Sequence, residues 1–243
     1  MEDFGAQSFG EIYAADYDER QDPGNTKASV ELIAELAGSG RVLELAVGTG
    51  RVALPLAKLG LEVHGIDASQ HMLDKLHEKP GAESLTTSIC DMANVEAPGT
   101  YDFAYLIFNT ITNLTTQEDQ VSCFKSVAKL LNPGGAFLIE NFIQDLTLFK
   151  DHQYTRTLEI EVDGAVLDMG KHDPVNQLVE CQRVVINAQG TQMRPLPYRY
   201  VWPQELDLMA ELAGMHLEHR WGDWDKSPFM RDSRKHVSLY KKD

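Results

Sequence analysis

Cysteine and positive charge are both scarce in this sequence of 243 residues. Its three cysteines, Cys90, Cys123 and Cys181, form no CxxC pair, which predicts reduced, mostly buried thiols in a cytoplasmic protein. Lysine and arginine number 22 against 37 aspartates and glutamates, so the formal net charge is −15. Because nucleic acids and anionic membranes bind through basic surfaces, this balance disfavours both as partners.

Long apolar runs and metal-binding spacings are missing as well. No apolar run approaches the ~18 residues that predict a transmembrane helix, and the opening "MEDFGAQSFG" lacks the apolar core of a signal peptide. The eight histidines are scattered without a spacing such as HExxH, so we expect no metal ion. Hydrophobic residues still make up 43% of the chain, enough for one sizeable domain with or without an insertion.

Strand and helix patterns alternate along residues 1–143 and resume in residues 203–243. Five apolar strand patterns, "RVLELAV", "LEVHGID", "SLTTSICD", "YDFAYLIFN" and "AFLIENF", are separated by helix patterns such as "QEDQVSCFKSVAKLL", which "NPGG" closes. After the helix "PQELDLMAELAG", two more strands are predicted at "MHLEHRW" and "HVSLY". This alternation predicts an α/β fold with a doubly wound, mostly parallel, seven-stranded Rossmann-like sheet.

Residues 144–202 depart from that pattern and contain no convincing helix. The stretch "RTLEIEVDGAVLDMG" alternates apolar and polar residues around Asp163-Gly164, which predicts a hairpin with a two-residue turn. Two further strands are predicted at "QLVECQRVVI" and "TQMRPLPYRYVW". We therefore expect an antiparallel β insertion after strand five that acts as a lid and, through an open strand edge, as a contact in a homodimer.

A glycine-rich turn joins the first strand to the first helix of the alternating region. Gly48 to Ala53 fits G-x-G-x-x-A, which alone is a weak match to the dinucleotide fingerprint and leaves an NAD-dependent oxidoreductase open. Glu44 lies four residues before Gly48, and its carboxylate is predicted to point into the same crevice. An acid there disfavours a pyrophosphate and favours the cationic S-adenosylmethionine (AdoMet).

The stretch "ELAVGTG" resembles motif I of the class I AdoMet-dependent methyltransferases, E/D-x-G-x-G-x-G, with Ala46 at the first glycine. We expect the backbone of Ala46 to have a negative φ, a conformation that suits an alanine at this position. Asp67, 19 residues after Gly48, resembles the acid that accepts the ribose hydroxyls, and Asp91-Met92 resembles the pair at the adenine. The stretch "LLNPGGAFLIE" resembles the loop before the fifth strand of these enzymes. The resemblance as a whole covers roughly residues 41–140 together with the final helix and strands.

The N-terminal "FGEIYAADYDERQD" resembles the leading segment of small-molecule methyltransferases, including aminosugar N-methyltransferases and glycine N-methyltransferase-like enzymes. Tyr13 and Tyr17 are four residues apart, so they are predicted to share one helical face, where they either cover the ligands or anchor the helix to the core. The resemblance implies a cofactor site of Tyr13, Tyr17, Glu44, Ala46, Gly48, Gly50, Arg51, Asp67, Ala68, Met72, Asp91, Met92, Phe108 and Asn109.

A methyl acceptor would lie beyond the carboxyl ends of the strands, where ligands bind in open parallel sheets. The N-terminal segment, the insertion and the loop "GDWDKSPFMRDSRK" are expected to converge there as a lid. Candidate acceptor-binding residues are Asn113, Trp224, Phe229 and Arg231. The alternatives are turn chemistry for Asn113 and aromatic side chains that pin a long loop for Trp224 and Phe229.

No catalytic base is evident from the sequence. Methyl transfer is an in-line displacement from an activated donor, so alignment supplies much of the acceleration, and a neutral amine needs no base. His152 and His172 fall in the insertion, where a lone histidine is more often a packing residue. The predicted function is methyl transfer from AdoMet to nitrogen or oxygen of a small molecule. An NAD-dependent oxidoreductase or a non-catalytic AdoMet-binding protein is the alternative.

Overall fold

The computed structural model describes residues 4–20 and 23–243. The helices in chain order are α1 (Ala6–Tyr13), α2 (Tyr17–Arg20), α3 (Thr26–Ala37), α4 (Ala53–Lys58), α5 (Gln70–His77), α6 (Gln117–Leu130) and α7 (Pro203–Leu212). The strands are β1 (Val42–Leu45), β2 (Val63–Asp67), β3 (Thr86–Ile89), β4 (Tyr101–Leu106), β5 (Leu131–Phe142), β6 (Gln153–Ile160), β7 (Gly164–Asp173), β8 (Leu178–Asn187), β9 (Gly190–Pro195), β10 (Tyr198–Arg199), β11 (Met215–Trp221) and β12 (Lys235–Lys242).

The main sheet has seven strands in the order β11-β12-β5-β4-β1-β2-β3. The strands from β5 to β3 run parallel to one another, and β12 and β11 join antiparallel at one edge. One face packs on α6 and α7 through residues such as Phe124 and Leu206, and the other packs on α3 and α4 through Ile33 and Leu56. The predicted doubly wound, mostly parallel fold is therefore confirmed, with a core on each face of the sheet.

The insertion forms a second, antiparallel sheet in the order β10-β8-β7-β6, with β9 paired to β8. The predicted Asp163-Gly164 turn is shifted by one residue, because Glu161 N donates to Gly164 O at 2.9 Å and leaves Val162 and Asp163 as the turn residues. Gly164 instead begins β7, where a Cβ would lie 2.8 Å from Ile186 O on the neighbouring strand. The glycine therefore serves the close approach of β7 and β8.

Two other boundaries differ from the sequence prediction. The residues "NPGG", expected to end a helix, fall within β5, which starts directly after α6. The stretch expected as one last insertion strand is divided into β9 and β10 by Leu196-Pro197, since proline cannot donate to the strand ladder.

Tyr13 and Tyr17 do not share one helix, so that prediction was wrong. Tyr13 ends α1 and Tyr17 begins α2, with a turn between them. Phe9 nevertheless brings the two rings together, since its centroid lies 4.7 Å from that of Tyr13 and 6.0 Å from that of Tyr17. Aromatic packing replaces the predicted helical spacing.

Candidate active site

A cavity of about 1070 Å³ lies between the carboxyl ends of the main-sheet strands, the N-terminal helices and the insertion. Small-molecule pockets commonly measure about 300–1,000 Å³, so this one has room for a cofactor and a second ligand. We call the side formed by Ala46, Gly48, Asp67, Ala68, Asp91 and Met92 the strand-end wall. We call the side formed by Tyr154, Arg156, Asp168, Cys181, Arg183 and Tyr198 the insertion wall.

Most of the residues predicted to hold the cofactor line this cavity. They are Tyr13, Tyr17, Ala46, Gly48, Asp67, Ala68, Met72, Asp91, Met92, Phe108 and Asn109. The carboxyl ends of parallel strands meet at one edge of the sheet, which explains why residues far apart in sequence converge there. Glu44, Gly50 and Arg51 are not part of the cavity lining.

The glycine turn after β1 is built from left-handed backbone. Ala46, Gly48 and Gly50 have φ values of 52°, 56° and 81°. The expectation of a negative φ at Ala46 was therefore wrong. A left-handed conformation costs an L-residue other than glycine about 1–2 kcal/mol, so the backbone at Ala46 is strained. Strained residues of this kind are often found at functional sites.

Asp67 closes β2 and ties two turns together. Its Oδ2 accepts from Gly48 N and its Oδ1 from Ser69 N, both at 2.8 Å. Burial raises the pKa of Asp67, while these backbone hydrogen bonds oppose the rise. Ser69 is the N-cap of α5 and accepts from Met72 N at 3.3 Å. Asp67 is therefore not needed as the cap, and each carboxylate oxygen keeps acceptor capacity toward the cavity.

Glu44 lies behind the strand-end wall. Its side chain does not point into the crevice, contrary to the prediction. Its side chain is buried, its Oε2 accepts from Tyr105 Oη at 2.6 Å, and a further hydrogen bond comes from the backbone of Ala53 at the start of α4. Burial raises the pKa of Glu44 to about 8, against the effect of the Tyr105 hydrogen bond and of Arg51. The carboxyl group anchors the turn that shapes the wall.

Gly50 and Arg51 also support the turn from outside the cavity. A Cβ at Gly50 would lie 3.0 Å from Leu76 Cγ, so the glycine permits close packing of the turn on α5. The Arg51 guanidinium donates to Thr26 Oγ1 at 2.9 Å and lies 5.5 Å from the centroid of the Phe108 ring. Arg51 thereby links α3 to a ring that lines the cavity.

The two asparagines after β4 differ in how free their side chains are. Asn109 Oδ1 accepts from Phe142 N at 2.9 Å, and its Nδ2 donates to Thr112 Oγ1 at 3.2 Å. Asn109 thus holds β5 and a short 3₁₀ helix, Thr110–Asn113, in place. Asn113 is exposed and lines the cavity, as its prediction requires. Asp91 is also exposed there, and its Oδ1 caps the following turn by accepting from Ala93 N at 2.9 Å.

Trp224, Phe229 and Arg231 do not line the cavity, contrary to the prediction for acceptor binding. Trp224 is 4% exposed and packs in the core, because its Nε1 finds a buried acceptor in Glu140 Oε1 at 2.8 Å. Phe229 packs edge-on against His236, with centroids 5.8 Å apart. The Arg231 side chain is 91% exposed and pairs with Asp232 in solvent. These contacts give Trp224 and Phe229 the alternative role of pinning the loop.

The insertion wall was missed in the sequence. Its side chains alternate along β6, β7 and β8, and the register pairs Arg156 with Asp168 and Asp168 with Arg183. Arg156 Nη2 lies 2.7 Å from Asp168 Oδ2, and Cys181 Sγ donates to Asp168 Oδ1 at 2.8 Å. The alternation was visible in the sequence, but which face meets the cavity depends on the position of the whole sheet.

The tyrosines that line the cavity are poor bases. Burial raises the pKa of both Tyr13 and Tyr17 to about 12, and it also raises the pKa of Tyr154 and Tyr198 well above the usual value. Tyr13 Oη donates to Arg194 O at 3.2 Å. No histidine within the described residues, 4–20 and 23–243, lines the cavity. At neutral pH the phenols are therefore protonated and can orient a ligand but not deprotonate it.

Clusters of metal-binding side chains and membrane-spanning helices are both absent from the described part of the chain. No group of three or more histidine, cysteine, aspartate or glutamate side chains there could hold a metal ion. No helix there is both long and apolar enough to cross a bilayer. The three cysteines are free thiols.

Comparison with known proteins identifies the class. The sequence model of a family described as "Methyltransferase domain" matches residues 42–135. The cypemycin N-terminal methyltransferase of Streptomyces sp is 30% identical over 198 residues, which cover 79% of each chain. The putative methyltransferase YqeM of Bacillus subtilis (strain 168) is 34% identical over 109 residues, 44% of this chain and 44% of that protein's own length.

A solved structure agrees over nearly the whole chain. The CcbJ methyltransferase from Streptomyces caelestis superposes with a TM-score of 0.92 and 34% identity, covering 98% of this chain and 99% of that one. The chain therefore belongs to the class I AdoMet-dependent methyltransferases, and it is an enzyme whose cofactor is AdoMet. The oxidoreductase and non-catalytic alternatives are set aside by the same findings.

Proposed function

We propose that the cavity binds AdoMet along the strand-end wall and a small-molecule amine between the N-terminal helices and the insertion wall. The observation that carries this proposal is a single continuous cavity with these two chemically different sides. Residues 144–202 would then act as a lid that supplies one side of the site. The enzyme would transfer the methyl group to a nitrogen atom.

The chemistry of the strand-end wall fits AdoMet. When bound, AdoMet supplies a methyl group on a positively charged sulfur. The two acids of this wall, Asp67 and Asp91, favour a cationic ligand over a pyrophosphate. Gly48 has no side chain, and a Cβ there would meet no atom nearer than 3.9 Å, so the backbone faces open space. A ligand can therefore approach the main chain closely.

Nitrogen is favoured over oxygen because no histidine of the described residues lines the cavity, and the side chains that border the proposed acceptor space are poorly suited to remove a proton. The tyrosine hydroxyls stay protonated at neutral pH, and both oxygens of Asp168 are already engaged by Arg156 and Cys181. A hydroxyl acceptor benefits from deprotonation, whereas a neutral amine attacks with its own lone pair. The relative named as an N-terminal methyltransferase, which matches over 79% of this chain, supports the same choice.

The residues of this chain would contribute alignment and exclusion of water. Tyr13 and Tyr17 cover the cavity from the N-terminal side together with Phe9, which stacks on Tyr13. Tyr198 and Tyr154 face them from the insertion. Such an enclosure holds the amine in line with the methyl group and removes bulk water, which together can supply much of the rate enhancement.

A screen of acceptors with labelled AdoMet tests the proposal. Small amines, phenols and carboxylic acids are incubated with the enzyme, and label transfer is measured. We expect label on an amine and none on a phenol or on an acid without an amine. Label only on oxygen would overturn the proposal. Calorimetric titrations done in parallel should show that AdoMet binds at least about tenfold more tightly than NAD does.

We further propose that a second copy of the chain pairs with the open edge of the insertion. Strand β6 is the last strand of its sheet, and its apolar side chains Leu158 and Ile160 are 44% and 78% exposed. An exposed, apolar edge strand is a template for pairing with another chain. Light scattering should show a dimer that Ile160→Lys converts to a monomer. A wild-type monomer at high concentration would rule it out.

A further inference from the structure

One face of the insertion sheet, which includes the insertion wall, carries a row of charged side chains that crosses four strands. Arg156 on β6 lies opposite Asp168 on β7, Asp168 lies opposite Arg183 on β8, and Arg183 lies opposite Arg194 on β9. Directly opposed residues of antiparallel strands point to the same face. Three arginines and one aspartate therefore share the face that meets the cavity.

Two of these arginines are paired with acids and one is not. Arg156 pairs with Asp168 at 2.7 Å, and Arg194 pairs with Asp16 of the N-terminal segment at 2.8 Å. Arg183 lines the cavity, its Nε is buried without a hydrogen-bond partner, and it forms no ion pair with a residue of 4–20 or 23–243. With Asp16 counted beside the row, three positive and two negative charges leave a net charge of 3 − 2 = +1.

Arg183 is half-buried, and its Nε is shielded from solvent; a shielded donor without a partner destabilises the protein until something satisfies it. Asp168 does not serve Arg183, because its two oxygens bond Arg156 and Cys181 instead. Arg183 also acts electrostatically on the Tyr13 hydroxyl, so it lies near the N-terminal helix that borders the proposed acceptor space. The missing partner of Arg183 would therefore come from a ligand between these two elements.

We propose that Arg183 binds a carboxylate carried by the methyl acceptor, an inference that rests on the proposed placement of the acceptor against the insertion wall. A guanidinium group presents a planar set of donors that matches a carboxylate, and one carboxylate neutralises the excess charge of the row. Asp67 and Asp91 on the opposite wall repel the same group. The acceptor would thus be an amino acid or a related amine, with its carboxylate toward the insertion.

The experiment uses the full chain saturated with S-adenosylhomocysteine, the demethylated product of AdoMet. The probes are two matched aromatic pairs: L-phenylalanine with L-phenylalaninamide, and phenylacetate with phenylacetamide. The readout is the side-chain Nε–Hε resonance of Arg183, assigned by its loss in Arg183→Gln. We expect the carboxylates to shift this resonance and to bind at least about tenfold more tightly than the amides.

Variants separate binding by Arg183 from a general charge effect. Arg183→Gln should lower carboxylate affinity to the level of the amides, and Arg183→Lys should restore part of it. The matched control is Lys171→Gln, because Lys171 is an exposed residue of β7 on the opposite face of the sheet. That change should leave the preference for carboxylates intact.

Equal binding of carboxylates and amides, or an Arg183 resonance that no carboxylate shifts, would overturn the inference. So would an equal loss of preference in Lys171→Gln. Calorimetry with S-adenosylhomocysteine distinguishes the two proposals. Absence of that binding counts against the proposed function, whereas normal binding with an unresponsive Arg183 counts only against the carboxylate site.

Discussion

The strand-end wall and the insertion wall enclose the same cavity but are built in different ways. The strand-end wall consists of short turns that follow β1, β2 and β3, and its shape depends on backbone conformation and on backbone hydrogen bonds to Asp67. The insertion wall consists of side chains on neighbouring antiparallel strands, and it depends on cross-strand pairs such as Arg156 with Asp168.

This difference matches a division of labour. A cofactor that is the same for every acceptor needs a fixed backbone cradle with a few acids. An acceptor that varies among related enzymes is better recognised by side chains on a sheet, which can change without disturbing the turns. The comparison predicts that variants of one wall leave ligand binding at the other wall unchanged.

Substitution of Trp224 should have the largest effect on the free energy of unfolding. Trp224 is buried outside the cavity lining, so its loss should affect both walls through folding. Trp224→Ala removes a buried indole and leaves Glu140 without one of its donors. We expect a loss of about 3–5 kcal/mol in the free energy of unfolding, typical of large-to-small changes at aromatic core positions. Urea unfolding followed by circular dichroism measures it.

Trp224→Phe is the companion variant, since it keeps most of the packing but removes the Nε1 donor. It should cost less than Trp224→Ala, about 1–2 kcal/mol for the lost hydrogen bond to Glu140, whose Oε1 still accepts from Asn25. If Trp224→Ala cost under about 1 kcal/mol and selectively impaired acceptor binding, the tryptophan would belong to the acceptor site after all.

Glu44 tests the support of the strand-end wall through pH. Its pKa is about 8 in the folded protein against an ordinary value of 4.5. As pH rises between these values, the unfolded chain releases its proton first, so Glu44 destabilises the fold progressively and then levels off above pH 8. Glu44→Gln removes this effect, which we expect to be on the order of 3–5 kcal/mol, because the shift from 4.5 to about 8 spans about 3.5 pKa units worth about 1.4 kcal/mol each.

The measurement is a series of urea unfolding curves from pH 4.5 to pH 9 for wild type and Glu44→Gln. The stability of the variant relative to wild type should increase through the window and then become constant. A difference independent of pH would show that Glu44 ionises normally in the folded protein.

Sequence reasoning reached the strand-end wall but not the insertion wall, for a physical reason. Asp67 and Gly48 are placed by local turns after strands, and local turns follow from short motifs. Arg183 meets the cavity only because the second sheet is oriented with that face inward, a matter of long-range packing. Alternation showed that β8 has two faces without showing which one would be functional.

The same reasoning explains the errors within the fold. The seven strands were predicted because strand and helix periodicities are strong. Tyr13 and Tyr17 were assigned to one helix because a spacing of four suits it, but packing of Phe9 against both rings favours a break between α1 and α2. Trp224 was assigned to the acceptor because an aromatic residue in a loop attracts attention, whereas a buried acid in Glu140 holds it in the core.

Asp67 gives a direct test that the walls are independent. Asp67→Ala should weaken binding of S-adenosylhomocysteine by about 1.5–3 kcal/mol if two charge-assisted hydrogen bonds to the ribose are lost. Asp74→Ala is the matched control, an exposed acid on α5 whose carboxylate accepts from Gln70 Nε2 at 2.7 Å. Calorimetry measures both, and Arg183→Gln should stay within about threefold of wild type. An unchanged affinity in Asp67→Ala would remove this residue from the site.

Ala46 gives the smallest and most local effect. Its φ of 52° lies in the left-handed region, which costs an alanine about 1–2 kcal/mol and a glycine almost nothing. Glycine also increases the freedom of the unfolded chain, which offsets about 0.4–1 kcal/mol of the gain. Ala46→Gly should therefore raise the free energy of unfolding by about 0.5 kcal/mol, measured by urea unfolding. The matched change Ala57→Gly, within α4, should lower it by about 1 kcal/mol, because glycine is unfavourable inside a helix. If both changes destabilised the protein equally, the strand-end turn would not be strained at Ala46.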